Sequence, residues 1–118
     1  MEKENEQFRQ RFAVCRPVFT AMGDPNRQLI LKLLMEHCGQ GGMRVGEIQK
    51  GTNISRTAVS HHMKVLMEAG MVSCKKEGTK NFYFLDTKSH AMKETVAFWR
   101  QVQERMDRCP MQQKGETT

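Results

Sequence analysis

The segment Asn53–Val72 constrains this chain more than any other stretch, because its periodicity fits a helix with two unlike faces. Val59, Met63 and Leu66 fall at i, i+4 and i+7 and make one apolar stripe. Arg56, Thr57, Ser60, His61 and Lys64 fall on the opposite side. That side is cationic and rich in hydrogen-bonding groups, concentrated in the first two turns. Those are the turns that enter the major groove when such a helix reads DNA. Ser55 is a suitable N-cap and Ala69-Gly70 a suitable stop.

The 118 residues are expected to form one domain over residues 1–110, followed by a flexible polar tail at 111–118. Hydrophobic residues make up 38% and charged residues 27%, as in ordinary soluble proteins. No apolar run approaches the ~20 residues that span a bilayer. The first eleven residues are charged and polar, unlike a secretion signal, so a cytoplasmic protein is expected. The net charge is +6, and between Arg44 and Lys80 seven Lys/Arg face only three Glu. A basic region of that kind attracts phosphate backbones, although a solvated lysine-rich surface gives the same count. Cys15, Cys38, Cys74 and Cys109 form no C-x-x-C or C-x-C pair, so no local metal site and no cofactor are expected.

Around this helix the chain reads as about five helices and one hairpin. Phe8, Phe12, Cys15, Phe19 and Met22 recur by fours and threes over Asn5–Met22, a narrow apolar seam that Pro17 should kink or break. Asp24-Pro25 starts a second helix, with Leu29, Ile30, Leu33 and Leu34 as its core face. Met43-Arg44-Val45 reads as extended, Val45–Lys50 as a short third helix with Ile48 inward, and Gly51-Thr52-Asn53 as a tight turn. A short helix, a turn and a cationic helix make a helix-turn-helix. Met71–Lys76 and Lys80–Leu85 then form a hairpin turned at Glu77-Gly78-Thr79. Its tip carries Lys75, Lys76 and Lys80, which completes a winged helix. Ser89–Arg108 is the last helix, ended by Pro110, with a seam of Met92, Val96, Trp99, Val102 and Met106.

The unit from Asp24 to Leu85 already contains a small core, so the terminal seams are surplus. A two-fold dimer would bury Phe8, Phe12, Cys15, Phe19, Met92, Val96, Trp99 and Met106 together, and it would double the contacts on a palindromic site. The alternative is that both helices complete the core of a monomer.

The ordered set Ala21–Leu34, Val45-Gly-Glu-Ile48, Ser55–Val72 and Lys76–Leu85 resembles the ArsR/SmtB family of bacterial transcriptional repressors. That resemblance covers roughly two thirds of the chain. It implies a homodimeric winged helix that binds operator DNA and is released by an inducer. Two departures stand out. The third-helix positions where metal-sensing members carry a Cys-x-Cys box hold Arg44 and Gly46. Those of the last-helix site hold Thr87, Ser89, Arg100 and Gln103. Neither set suits a zinc ion, so both usual metal sites are expected to be absent.

Arg56 is suited to guanine O6/N7 or to a phosphate, and Ser55, Thr57, Ser60 and His61 to other groove contacts. Lys64, Lys75, Lys76 and Lys80 are assigned to phosphates, and His62 to a structural role. If the terminal helices pack together, Cys15 and Cys109 would approach one another as a thiol sensor or as a seat for a soft ion such as As(III). Otherwise Cys15 is a small core residue and Cys109 a bystander. A winged helix used for protein interaction is the competing class, and it should show apolar residues where Arg56–Lys64 are polar. An enzyme is not expected, since no nucleophile–base pair, paired carboxylates or phosphate loop is present.

Overall fold

A computed structural model describes residues 1–110; the expected tail at 111–118 lies outside the described residues. The described elements run α1 (Glu2–Met22), α2 (Pro25–Glu36), α3 (Val45–Thr52), α4 (Arg56–Glu68), β1 (Val72–Glu77), β2 (Lys80–Leu85) and α5 (His90–Asp107). The architecture is the mainly helical winged helix-turn-helix that the periodicities predict. No described helix is long and apolar enough to cross a membrane.

The core gathers one stripe from each central element. Ile30, Leu31 and Leu34 come from α2, Ile48 from α3, and Val59, Met63 and Leu66 from α4, closed by Met71, Val72 and by Val18 and Ala21 of α1. Leu29 was expected on the α2 core face but is exposed, and Leu31 takes its place. The helical repeat puts Ile30, Leu31 and Leu34 within one side and turns Leu29 outward. Asp24 starts α2 by accepting hydrogen bonds at Oδ1 from the N–H groups of Asn26 (2.8 Å) and Arg27 (3.1 Å), with Pro25 in the first turn.

The tight turn expected at Gly51-Thr52-Asn53 is shorter than the sequence suggests. Gly51 and Thr52 belong to the last turn of α3, and the reversal falls on Asn53 in the left-handed region (φ 59°, ψ 33°). Asparagine tolerates that conformation better than most residues. Gly51 serves packing instead: a Cβ there would come within 2.7 Å of Leu33 Cδ2, so its bare backbone lets α2 approach α3.

The hairpin pairs Val72 with Leu85 through to Glu77 with Lys80, leaving Gly78-Thr79 as a two-residue turn. Gly78 takes φ +65°, as the first position of such turns requires. Met43 adds a single bridge to the outer edge, exchanging backbone hydrogen bonds with Tyr83 at 2.8 and 2.7 Å. The hairpin is latched at its base to the residue that follows β2. Ser73 donates to Asp86 Oδ2 at 2.5 Å, which with further backbone donors holds that carboxyl below its usual range.

Pro17 does not break α1, which runs unbroken from Glu2 to Met22. Pro17 lies on the exposed side, as does Ala13, whose carbonyl loses its N–H partner. Water can satisfy that carbonyl, while Cys15, Val18 and Ala21 stay buried on the other side. The terminal helices pack antiparallel around Phe98, which the seam reading missed. Phe8, Phe12 and Phe19 place their ring centroids 5.5, 5.3 and 5.2 Å from it. Arg11 joins the pair by donating to Glu94 (3.1 Å) and Gln101 (2.9 Å).

Hydrogen bonds from Arg27 and Asn26 hold the Asp24 carboxyl below its ordinary value of 3.8, the Arg27 bond contributing most. A lowered carboxylate contributes stability that is complete above the unfolded value and is lost as pH falls through the folded one. Asp24→Ala is therefore expected to lower the melting temperature at neutral pH. The gap from the parent protein should narrow below pH 3.8. A gap that stayed constant across that range would show that the charge on the cap contributes nothing.

Candidate nucleic-acid interface

The site is built on α4. Ser55 Oγ caps the helix by accepting from Ala58 N–H at 3.2 Å. Val59, His62, Met63 and Leu66 are buried, whereas Arg56, Thr57, Ser60, His61 and Lys64 are all exposed. The five side chains assigned to DNA thus lie together on the solvent side of the first turns. The helix N-terminus adds its own partial positive charge there.

His62 has the structural role expected of it. The Arg27 guanidinium only donates, so His62 Nδ1, 3.3 Å from Arg27 Nη1, accepts. Arg27 also donates from Nε to the carbonyl of Ala21 at 2.7 Å. One side chain therefore ties α4 to α2 and to the end of α1, which fixes the angle at which α4 leaves the core.

The hairpin stands beside the start of α4. Between them lies a polar cleft of about 490 Å³, lined by Arg44, Lys50, Arg56, Thr79 and Asn81 among others. Arg44 and Lys50 were counted in the basic region but not assigned to the site. The available signal was helical: Gly46 and Lys50, one turn apart, share the α3 side away from buried Ile48. Glu47 is directed back to α3, accepting from Arg44 N–H at 2.9 Å.

The three wing lysines are not equivalent. Strand alternation puts Lys76 on the face of its partner Asn81, which lines the cleft. Lys75 lies on the other face with Glu77 and Lys80, and its Nζ is 3.4 Å from Glu77 Oε2. Lys75 is therefore partly neutralised, while Lys76 and Lys80 are exposed at the tip.

The four cysteines are free. The structure does not bring Cys15 and Cys109 together within one protomer. Arg105 of α5 bonds Asn5 and stacks its guanidinium 4.6 Å above the Phe8 ring, so Cys109 lies beyond the start of α1. Cys15 is ten residues farther along, about 15 Å of helix, and is fully buried. At the departures from the metal-sensing pattern, Arg44 and Ser89 act as helix caps, and Arg100 and Gln103 are exposed on α5. Among the described residues, no three His, Cys, Asp or Glu side chains converge as a metal site would need.

The seam residues divide between two faces. Cys15 is buried, Met92 packs on the core, and Phe8 and Phe19 pack on Phe98 inside the protomer. Cys15 is thus withdrawn from the set expected to meet a partner. Phe12, Val96, Trp99 and Met106 remain on the outside, Trp99 with 58% of its surface open.

Residues 24–73 match the profile of a family described as bacterial regulatory protein, arsR family. An uncharacterized HTH-type transcriptional regulator of Methanocaldococcus jannaschii is 40% identical over 76 residues, which span 64% of this chain and 82% of that protein. The transcriptional repressor SdpR of Bacillus subtilis is 39% identical over 70 residues, spanning 59% of this chain and 73% of SdpR. Two solved structures share the fold. An ArsR-like transcriptional regulator from Rhodococcus sp. RHA1 superposes with a TM-score of 0.68 at 23% identity, covering 91% of this chain and 97% of that one. A homodimeric winged helix-turn-helix DNA-binding domain from Mycobacterium bovis gives 0.56 at 23% identity, covering 91% and 90%. With the profile match over the helix-turn-helix and relatives of this identity, the chain belongs to the ArsR family of transcriptional regulators, and α3, α4 and the hairpin are its DNA-binding winged helix-turn-helix.

Proposed function

We propose that this regulator is a cytoplasmic homodimeric repressor that reads a palindromic operator. Ser55, Arg56, Thr57, Ser60 and His61 enter the major groove, and Lys64, Lys76 and Lys80 hold phosphates. The observation that carries this reading is the division of α4, with five polar side chains outside and four residues buried beneath them. A protein-docking helix would expose apolar residues in those turns. Arg44 and Lys50 extend the phosphate contacts along the cleft, and Lys75 contributes less because Glu77 opposes it. The repressor role is supported by the likeness to SdpR.

Dimerisation is supported by the apolar strip of Phe12, Val96, Trp99 and Met106, which the protomer leaves 40–58% exposed. It agrees with the homodimeric neighbour from Mycobacterium bovis. Release does not use the two metal sites usual in the family, because their positions carry Arg44, Gly46, Thr87, Ser89, Arg100 and Gln103. A joint Cys15–Cys109 response to thiol oxidants or As(III) is not part of the proposal, given their separation along the helix pair.

Three measurements follow. Arg56→Ala with His61→Ala should abolish the gel shift of a palindromic duplex from the chain's own promoter. Arg56 alone should cost about 1–3 kcal/mol if it grips guanine. Unchanged binding in the double variant would remove α4 as the reading element. Lys76→Ala should lower the slope of log K against log salt by about 0.9, and Lys75→Ala by less; equal slopes would contradict the assignment by strand face. Trp99→Glu should yield monomers in sedimentation and weaken operator binding. A variant that sediments as a dimer would place the interface elsewhere.

A further inference from the structure

We infer that the cavity at the base of the wing binds a compact phenolic molecule. The cavity, about 360 Å³, lies between the end of α2, the glycine loop that follows it, and β2. Its walls are mainly apolar, contributed by Leu34, Met43, Tyr83, Phe84 and Leu85; besides His37 the polar lining includes Thr87 and Lys75, whose ammonium is opposed by Glu77 at 3.4 Å. That volume is at the low end for small-ligand sites and suits one substituted ring.

His37 selects the polar group of the ligand. Its ring lines the cavity, and its Nδ1 lies 3.0 Å from the carbonyl oxygen of Leu33. A carbonyl only accepts, so Nδ1 donates to it, and the tautomer with its proton on Nδ1 carries a lone pair on Nε2. No described residue hydrogen-bonds that nitrogen. A ring that is apolar on its faces and donates one O–H satisfies both the walls and Nε2.

The surrounding backbone gives such a ligand access and leverage. Gly39 and Gly41 have φ of +88° and +85°, and a Cβ at either would meet nothing within 4 Å, so that side of the mouth is open. Gly42 is the opposite case, since its Cβ would come within 3.1 Å of Phe82 Cβ and of the Tyr83 carbonyl. The loop therefore presses on β2 just before Met43 bridges to Tyr83, and Arg44 next caps α3. An occupant touching Met43 and Tyr83 bears on the wing and on the helix-turn-helix together. Its role as an effector rests on the operator-binding reading above; occupancy of the cavity does not.

The test uses the 118-residue chain with phenol, toluene and benzoate as probes. Cys38, exposed at the cavity rim, is alkylated with iodoacetamide and followed by peptide mass spectrometry. Amide shifts of Met43 and Tyr83 are read in parallel. Phenol should slow Cys38 alkylation about tenfold at ten times its dissociation constant, move both amides, and bind more tightly than toluene or benzoate. His37→Ala should reduce phenol to the affinity of toluene. Cys38→Trp should fill the cavity, remove the amide shifts and make operator affinity indifferent to added phenol. No protection and no shifts with phenol would overturn the site, as would shifts that survive Cys38→Trp. Equal binding of phenol and toluene, or tighter binding of benzoate, would overturn the phenolic class. Phenol binding that leaves operator affinity unchanged would overturn the effector role. Phenol binding by a chain that shifts no operator would support the cavity and count against the operator reading.

Discussion

Val59, Met63 and Leu66 give up almost all of their surface to the core, and that burial decides which side of α4 is left in water. Each such side chain contributes roughly 1.5–3 kcal/mol, so rotating the helix to hide its cations instead would be costly. Polar contacts then set the angle more finely. Arg27 reaches the Ala21 carbonyl with one nitrogen and His62 with another, which pins α4 to two neighbouring helices. The exposed groups of α4 are therefore presented by a rigid support, as a reading surface needs.

The same rigidity extends to both ends of the reading unit. At its start, Gly51 lets α3 sit close under Leu33, and Asn53 makes the reversal in one residue. At its end, Ser89 donates to the Gly70 carbonyl at 2.6 Å and accepts from Met92 N–H at 3.1 Å. Gly70 also leaves room for Ala91, whose Cβ would lie 3.0 Å from a Cβ at that glycine. The stop of α4 and the cap of α5 are thus one joint. A dimer formed through α1 and α5 would set the distance between two α4 helices through that joint, and half-site spacing would follow from it.

The elements with strong local chemistry were readable from the sequence. Asp24-Pro25, Ser55 and Ser89 marked helix starts that the structure keeps, and the alternation around Gly78 gave the hairpin. What escaped depends on three-dimensional context. Pro17 looked like a break because a missing N–H is visible in sequence, whereas the solvent beside Ala13 is not. Gly51 looked like a turn because close helix packing has no local signature. Phe98 was overlooked because the seam was drawn along its neighbours Val96 and Trp99, and only the antiparallel pairing of α1 with α5 turns Phe98 inward. In the candidate site, the composition of α4 was enough to separate its polar from its apolar face, but the difference between Lys75 and Lys76 needed the strand register. Arg44 and Lys50 became part of the site only when the wing closed a cleft over them.

DNA is expected to meet α4, α3 and the wing face carrying Lys76 and Asn81. The most direct measurement is the change in backbone amide signals when an operator duplex is added to isotope-labelled protein. For this interface the largest changes are expected at residues 44–50, 55–64 and 76–81, with α1 and α5 little affected apart from the joint at Ser89. Changes concentrated on Phe12, Val96, Trp99 and Met106, with Arg56 to Lys64 unmoved, would contradict it.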